Sequence, residues 1–102
     1  MKEVTVLGVE NEELKIALSG DIDVGNADEF YATVASAYSE AKKTLVFDCK
    51  ELAFIDSTTL GVFVKISKLT EADGNRMRLL GLQARIKKLF MICALGSRME
   101  IE

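Results

Sequence analysis

The stretch Leu52–Gly61 reads LAFIDSTTLG and marks the passage from a strand into a helix. Its apolar first part follows the run Leu45–Phe47, which lacks alternation and predicts a central strand covered on both faces. The segment 56–59, Asp-Ser-Thr-Thr, is dense in residues whose side-chain oxygens cap helix N-termini. The stretch therefore predicts a buried strand, a turn and the start of a helix.

The residues after this turn carry two conflicting signals. The run 60–64 is rich in β-branched and aromatic side chains, which favour a strand by propensity. The polar and small positions recur at helical spacing instead, at Thr58, Gly61, Lys65 and Lys68. Together with the caps, this spacing predicts a helix from Ser57 to Asp73 that Gly74 and Asn75 terminate.

The segments before this helix predict a hairpin and a first helix. Val4–Val9 is rich in β-branched residues and Glu13–Ser19 alternates, with a polar turn at 10–12 between them. The glycine-bracketed segment Gly20–Gly25 predicts a loop. An apolar stripe at helical spacing then runs from Ala27 to Ala41 and ends near Lys42 and Lys43. Asn26 is the expected N-cap, with Glu29 as its capping-box partner.

The segments after it predict a further strand at Met77–Leu82, a third helix and a possible edge strand at Met99–Ile101. The third helix has the clearest apolar stripe, which consists of Ile86, Leu89, Phe90, Cys93 and Ala94. Arg85, Lys87 and Lys88 are expected on its solvated side. The order β-β-α-β-α-β-α, with a possible last strand, predicts an α/β fold: a mixed sheet of four to five strands packed with three or more helices.

Composition narrows the class of protein. The chain has 102 residues, of which 49% are hydrophobic, so residues 1–102 are expected to form a single domain. The absence of histidine excludes a Ser-His-Asp triad and a His-ligated zinc site. A net charge of −3 argues against a surface that binds nucleic acid through phosphate contacts. We therefore expect a protein partner, with no cofactor and no metal.

The compartment is also predicted from the sequence. No apolar run reaches the length of about 20 residues needed to span a bilayer, and the N-terminus leads directly into a strand-like pattern. Cys49 and Cys93 lie in apolar segments, which predicts two buried thiols in a reducing cytoplasm. A monomer is favoured, although the sequence leaves the oligomeric state open.

The stretch Leu52–Gly61 resembles the phosphorylation motif of the STAS-domain family, in particular of the anti-sigma factor antagonists. Their pattern is an apolar residue, then Asp-Ser, a Ser or Thr, Gly-Leu-Gly and a second apolar run. Gly20–Asp23 is similar to the family's loop between the second strand and the first helix, and the length and element order agree. Thr59 departs from the pattern, since the family usually has glycine there. The resemblance implies a STAS-like fold.

The resemblance also implies a partner-switching regulator of transcription. The anti-sigma factor, itself an ATP-dependent serine kinase, would phosphorylate the serine after the aspartate, which is Ser57 here. The unmodified protein would bind the anti-sigma factor and free the sigma factor, and the phosphorylated protein would be released until a cognate phosphatase resets it. The residues expected to bind the partner are Asp23, Asp56, Ser57, Thr58, Thr59, Gly61 and Lys65.

Several alternatives remain open at the level of the sequence. Ser57 could simply cap the helix, Thr58 or Thr59 could accept a phosphate, and Asp23 could only hold its own loop together. The alternative function is a STAS binding module that is never phosphorylated and serves as a subunit of a transport or scaffold complex. An enzyme with a Ser57 nucleophile is disfavoured, because there is no histidine and no glycine-flanked serine elbow.

Overall fold

Five strands form one mixed sheet whose spatial order follows the chain order in this computed structural model, which describes residues 1–102. The first two strands pair antiparallel as a hairpin, and every later neighbour pairs parallel. The strands are β1 Val4–Glu10, β2 Glu13–Ile22, β3 Thr44–Ile55, β4 Met77–Leu80 and β5 Glu100–Ile101. The predicted hairpin, the mixed sheet and the edge strand are confirmed.

Three α-helices make the crossovers that parallel neighbours require. They are α1 Ala27–Ala41, α2 Ser57–Ala72 and α3 Ala84–Ile92, with a short 3₁₀ helix at Leu95–Ser97. The predicted order of helices and strands is therefore confirmed. None of the helices combines the length and apolar character needed to cross a bilayer.

Four phenylalanines join the three helices to one face of the sheet. Phe30 of α1, Phe47 of β3, Phe63 of α2 and Phe90 of α3 are fully buried, with neighbouring ring centroids 5.2–6.2 Å apart. All four ring contacts are tilted or edge-to-face, the arrangement that the ring quadrupoles favour. A single core cluster lies between the helices and this face of the sheet.

The prediction that β3 is covered on both faces is confirmed, since Leu45, Val46 and Phe47 are all buried, but only one of the two faces belongs to the core. Leu45 and Phe47 belong to the core cluster, whereas Val46 points to the opposite face and stays outside that cluster. Val46 lines a surface cleft with Lys15 of the neighbouring strand β2 and Leu7 of β1. It is buried because long side chains on adjacent strands cover it, which removes the alternation that a solvated face would show.

Three predicted boundaries differ from the structure. Strand β2 continues through Ile22, so the first half of the predicted loop Gly20–Gly25 is paired with β3. Strand β3 runs on to Ile55, although the exposed charged residues Lys50 and Glu51 interrupt its apolar pattern and the register of its pairing with β2 shifts there. Strand β4 ends at Leu80, two residues before the predicted end at Leu82.

The prediction of two buried thiols is correct for Cys49 and wrong for Cys93. Burial raises the pKa of the Cys49 thiol to about 12. Helix α3 ends at Ile92, and Ala94 has a left-handed backbone with φ of 56°. This turn carries Cys93 and Ala94 out of the predicted stripe, so the Cys93 side chain is exposed.

Candidate functional site

Ser57 is the first residue of α2, and Asp56 is the N-cap. Asp56 has extended backbone, and its Oδ1 accepts a hydrogen bond of 3.0 Å from the backbone N–H of Thr59. The reading of Ser57 as the cap is therefore wrong. Ser57 and Thr58 are exposed, and the hydrogen bonds that hold this turn do not use the Ser57 hydroxyl. A modification of that hydroxyl would leave the cap in place.

The second carboxylate oxygen of Asp56 connects two loops. Asp56 Oδ2 accepts a hydrogen bond of 2.9 Å from the backbone N–H of Val24, which lies in the loop between β2 and α1. The parallel pairing of β2 with β3 brings these segments together, since the carboxyl ends of both strands meet at the same edge of the sheet. The loop that carries Asp23 therefore lies beside the start of α2.

Asp23 and Asn26 hold the β2–α1 loop in shape. Asp23 Oδ1 accepts from the N–H of Gly25 at 2.9 Å, and Asn26 Oδ1 accepts from the N–H of Asp23 at 2.9 Å. Asn26 also donates to the carbonyl of Asp21. Its side chain is thus occupied in the loop and does not cap α1, so the predicted capping box is wrong. Glu29 lies 3.4 Å from the terminal amine of Met1 instead.

The hydrogen bonds around Asp56 lower the pKa of its carboxyl. The largest cause is the bond from the Thr59 N–H, and the bonds from the Val24 N–H and the Thr59 hydroxyl act in the same direction, while desolvation opposes them. A carboxylate whose pKa is depressed in the folded protein stabilises the fold above its unfolded pKa of about 3.9. That stabilisation is lost as the pH falls through the lower folded pKa.

We expect Asp56→Asn to destabilise the protein at pH 7, and the deficit to shrink below about pH 4. Asparagine keeps one acceptor oxygen, but its amide would place a donor against the Val24 N–H. Urea unfolding of the natural chain and of Asp56→Asn from pH 3 to pH 8 measures the difference between their free energies of unfolding. The contributions of the other titrating groups are the same in both proteins and cancel in this difference. A deficit that does not change with pH would mean that the Asp56 charge has no role in the connection.

Thr59 lies inside the protein and not on the predicted partner surface. Its side chain is fully buried, and its hydroxyl lies within hydrogen-bond distance of the Ile22 carbonyl, at 2.6 Å, and of Asp56 Oδ1, at 3.0 Å. Its backbone is in the ordinary helical region and does not have a positive φ. Because Thr59 is buried, the predictions that it binds the partner and that it could accept a phosphate are wrong.

Thr59→Gly is expected to lower the free energy of unfolding by about 2–3 kcal/mol, because it removes a buried hydrogen bond and methyl group and adds a helical glycine. Thr58→Gly is the matched control, since Thr58 is exposed one position earlier and should cost no more than about 1 kcal/mol. Thermal or urea unfolding compares the two. Equal losses would contradict the anchoring role of the Thr59 hydroxyl.

Thr58, Gly61 and Lys65 lie on the exposed face of α2. A Cβ built on Gly61 would meet no atom within 4 Å, and Gly61 has no positive φ. Nothing inside the chain therefore requires glycine at this position. The ammonium of Lys65 lies 4.5 Å from the centre of the Tyr31 ring, a cation–π contact that holds α2 to α1.

Two apolar residues near the site were not singled out in the sequence. Val24 is 73% exposed and Phe54 is 45% exposed, and they lie in the two segments that meet at Asp56. The sequence signal that could have identified them is an apolar residue in or beside a polar segment: Val24 lies in the glycine-bracketed loop, and Phe54 lies just before the polar turn at 56–59. Arg85, which was expected only to be solvated, donates to the carbonyl of Ala53 at 3.0 Å.

The shape and composition of this surface limit its chemistry. We call Asp23, Val24, Phe54 and the exposed α2 residues Ser57, Thr58 and Gly61 the Ser57 surface. The cavities of the structure are lined by other residues. No three His, Cys, Asp or Glu side chains are grouped so that they could hold a metal ion. The Ser57 surface is open and is suited to contact with another protein surface.

Comparison with known proteins identifies a family and relatives of this chain. The STAS domain family matches residues 4–102. The anti-sigma-B factor antagonist of Bacillus subtilis (strain 168) is 30% identical over 89 residues, which cover 87% of this chain and 81% of that protein.

Solved structures share the fold. The unphosphorylated form of the anti-sigma factor antagonist SpoIIAA superposes with a TM-score of 0.82 and 25% identity, over 97% of this chain and 87% of that one. The Bacillus cell fate determinant SpoIIAA in its phosphorylated form gives a TM-score of 0.75 and 25% identity, over 97% and 90% of the two chains. The STAS-like fold predicted from the sequence is confirmed.

Proposed function

Because the chain belongs to the STAS domain family, we propose that it is an anti-sigma factor antagonist that is switched off by phosphorylation of Ser57. The kinase in this proposal is the anti-sigma factor itself, and a cognate phosphatase restores the active form. The chain acts as a binding protein in the cytoplasm and not as an enzyme. The observation that carries the proposal is the exposed Ser57 hydroxyl beside a cap that does not depend on it.

The start of α2 can accept a phosphate without unfolding. Free N–H groups and the positive end of the helix dipole favour an anion at this position. Asp56 keeps its bonds to Thr59 and Val24 whether or not Ser57 is modified, because those bonds use other atoms. Phosphorylation adds a charge of about −1.5 to −2 to the surface. The fold would persist while the contact with a partner fails.

Gly61 supports the placement of the partner on α2. A glycine inside a helix costs about 0.5–1 kcal/mol relative to alanine, and the chain has room for a side chain here. A reason for glycine outside the chain is the close approach of a partner's backbone. We therefore propose that the partner covers Asp23, Asp56, Ser57, Thr58, Gly61 and Lys65, with Val24 and Phe54 as apolar contacts.

Gly61→Ala is expected to raise the free energy of unfolding by about 0.5–1 kcal/mol and to weaken partner binding by about tenfold. Ser36→Ala on the exposed side of α1 is the control, since it should raise the free energy of unfolding slightly and leave partner binding unchanged. Unfolding and calorimetric binding, measured on both variants, separate the two effects. Unchanged binding by Gly61→Ala would remove this part of α2 from the interface.

The phosphate acceptor can be identified directly. The chain is used to capture partners from a lysate of its source organism, the captured anti-sigma factor is purified, and both are incubated with ATP before peptide mass spectrometry. We expect phosphate on Ser57, none on Ser57→Ala, and full modification of the matched variant Thr58→Ala. Phosphate on Thr58 would contradict the assignment. Stable binding without any phosphate transfer would favour the unphosphorylated module of a transport or scaffold complex.

A further inference from the structure

A groove between α1 and α2 lies outside the Ser57 surface. It has a volume of about 400 Å³, and we call it the α1–α2 groove. Its walls include Tyr31, Ala35 and Tyr38 of α1 and Lys68, Leu69 and Ala72 of α2. On each helix these positions recur at helical spacing, so both walls are continuous faces.

The two helices run in the same direction along this groove. Tyr31 contacts Lys65, and seven residues later the Tyr38 hydroxyl donates to Asp73 Oδ2 at 2.8 Å. The Ser57 surface and the groove are therefore consecutive along α2. At about 1.5 Å per residue, Lys68 lies about 16 Å beyond Ser57, within the reach of a single protein partner.

The floor of the groove is apolar and held in place. Tyr38 donates to Asp73 and accepts from the Asn75 side chain at 2.9 Å, which fixes the phenol ring. Burial raises the pKa of Tyr38, so the phenol stays neutral at physiological pH. Ala35 and Ala72 leave space between the tyrosines and Leu69. Such a floor suits apolar side chains that enter from above.

The rim of the groove is positive in a chain whose net charge is −3. Lys42 and Lys68 are exposed and belong to none of the eight ion pairs, and Lys65, three residues before Lys68, lies over the Tyr31 ring at the start of the groove. Asp73 is the only acidic residue in the lining, and its Oδ2 is occupied by Tyr38. The rim therefore presents two lysines, Lys42 and Lys68, that form no ion pair inside the chain.

From this apolar floor and cationic rim we infer that the α1–α2 groove binds an acidic amphipathic helix of a protein partner. Apolar residues at positions i, i+3, i+4 and i+7 of that helix enter between the tyrosines, and its carboxylates face Lys42, Lys65 and Lys68. From Tyr31 to Lys42 the groove is about 16 Å long, which matches about three turns of a helix. The inference goes beyond the proposed function and does not depend on phosphorylation of Ser57.

A peptide titration tests the inference on the full chain. The probe is a synthetic amphipathic peptide of about 18 residues with leucines at helical spacing and glutamates elsewhere, and its counterpart carries lysines for glutamates. The chain is ¹⁵N-labelled, and amide shifts report where each peptide binds. We expect saturable shifts at 31–42 and 68–73 with the acidic peptide only. Equal or stronger binding of the basic peptide, or shifts confined to another surface, would overturn the inference.

Two variants with matched controls locate the site. Lys68→Glu should weaken binding of the acidic peptide by roughly five- to tenfold. Lys88→Glu, which makes the same charge change on α3, should leave this binding unchanged. Ala35→Trp should fill the groove and abolish binding, whereas Ala32→Trp on the exposed side of α1 should not. If the controls lose as much affinity as the groove variants, the inference is wrong. Since no step involves Ser57, this outcome is independent of the proposed switch.

Discussion

Phosphorylation of Ser57 is expected to weaken binding of the anti-sigma factor by about 2–5 kcal/mol, a loss of roughly thirtyfold or more. The phosphate would lie in the contact, next to the Asp56 carboxylate, and would have to be desolvated without a matching cation. Calorimetric titration of the unmodified and the phosphorylated chain into the purified partner measures this loss. Equal affinities would make Ser57 an ordinary surface residue and end the switch hypothesis.

Two substitutions of Ser57 are the controls for this measurement. Ser57→Ala should fold and bind like the unmodified protein, because the cap is Asp56. Ser57→Asp should also fold, since a carboxylate in the first turn of a helix is favourable by about 0.3–1 kcal/mol. It should bind more weakly than Ser57→Ala but more strongly than the phosphorylated chain, since it adds a single charge. The reverse order would indicate that charge does not explain the effect.

Phe63→Ala is expected to lower the free energy of unfolding by about 3–5 kcal/mol, the largest loss for any single side chain of α2. Phe63 is fully buried, and its ring contacts those of Phe30, Phe47 and Phe90, so its removal opens a cavity where all three helices meet the sheet. Urea unfolding monitored by far-ultraviolet circular dichroism measures the loss.

The control for this cavity is Phe54→Ala. Phe54 is 45% exposed, so the same truncation should cost far less stability. A small loss for Phe63→Ala, close to that of Phe54→Ala, would contradict the central position of Phe63 in the core. Because Phe54 belongs to the Ser57 surface, its truncation should weaken partner binding instead.

Local pattern was sufficient to predict the order of the elements, including the most ambiguous one. The run 60–64 favours a strand by composition, yet it lies within the first two turns of α2. Tertiary packing of Val62 and Phe63 against the sheet outweighs intrinsic propensity, and Asp56 fixes the direction in which the chain enters the helix. The capping residues at 56–59 and the helical spacing of the polar positions therefore predicted the helix correctly, where composition alone would have predicted a strand.

The errors arose where side-chain hydrogen bonds to groups outside the helix decide the structure. Asn26 has the right identity and position for a cap, but its side chain bonds to the loop that precedes it. Thr59 looks like another polar residue of the turn, and only the parallel pairing of β2 with β3 brings the Ile22 carbonyl to its hydroxyl. No local pattern distinguishes an Asn26 side chain bound to its loop from one that caps the helix, and the Thr59 contact joins residues 37 positions apart, so neither could be predicted from the sequence.

The two cysteines differ in a way that makes the chain convenient to label. A thiol must be both accessible and deprotonated to react with a maleimide or an iodoacetamide, and Cys49 is neither near neutral pH, since it is buried with a pKa of about 12. Cys93 is exposed beyond the end of α3. A single fluorophore or spin label can therefore be attached to the natural sequence without mutagenesis, so that partner binding and release can be followed in real time.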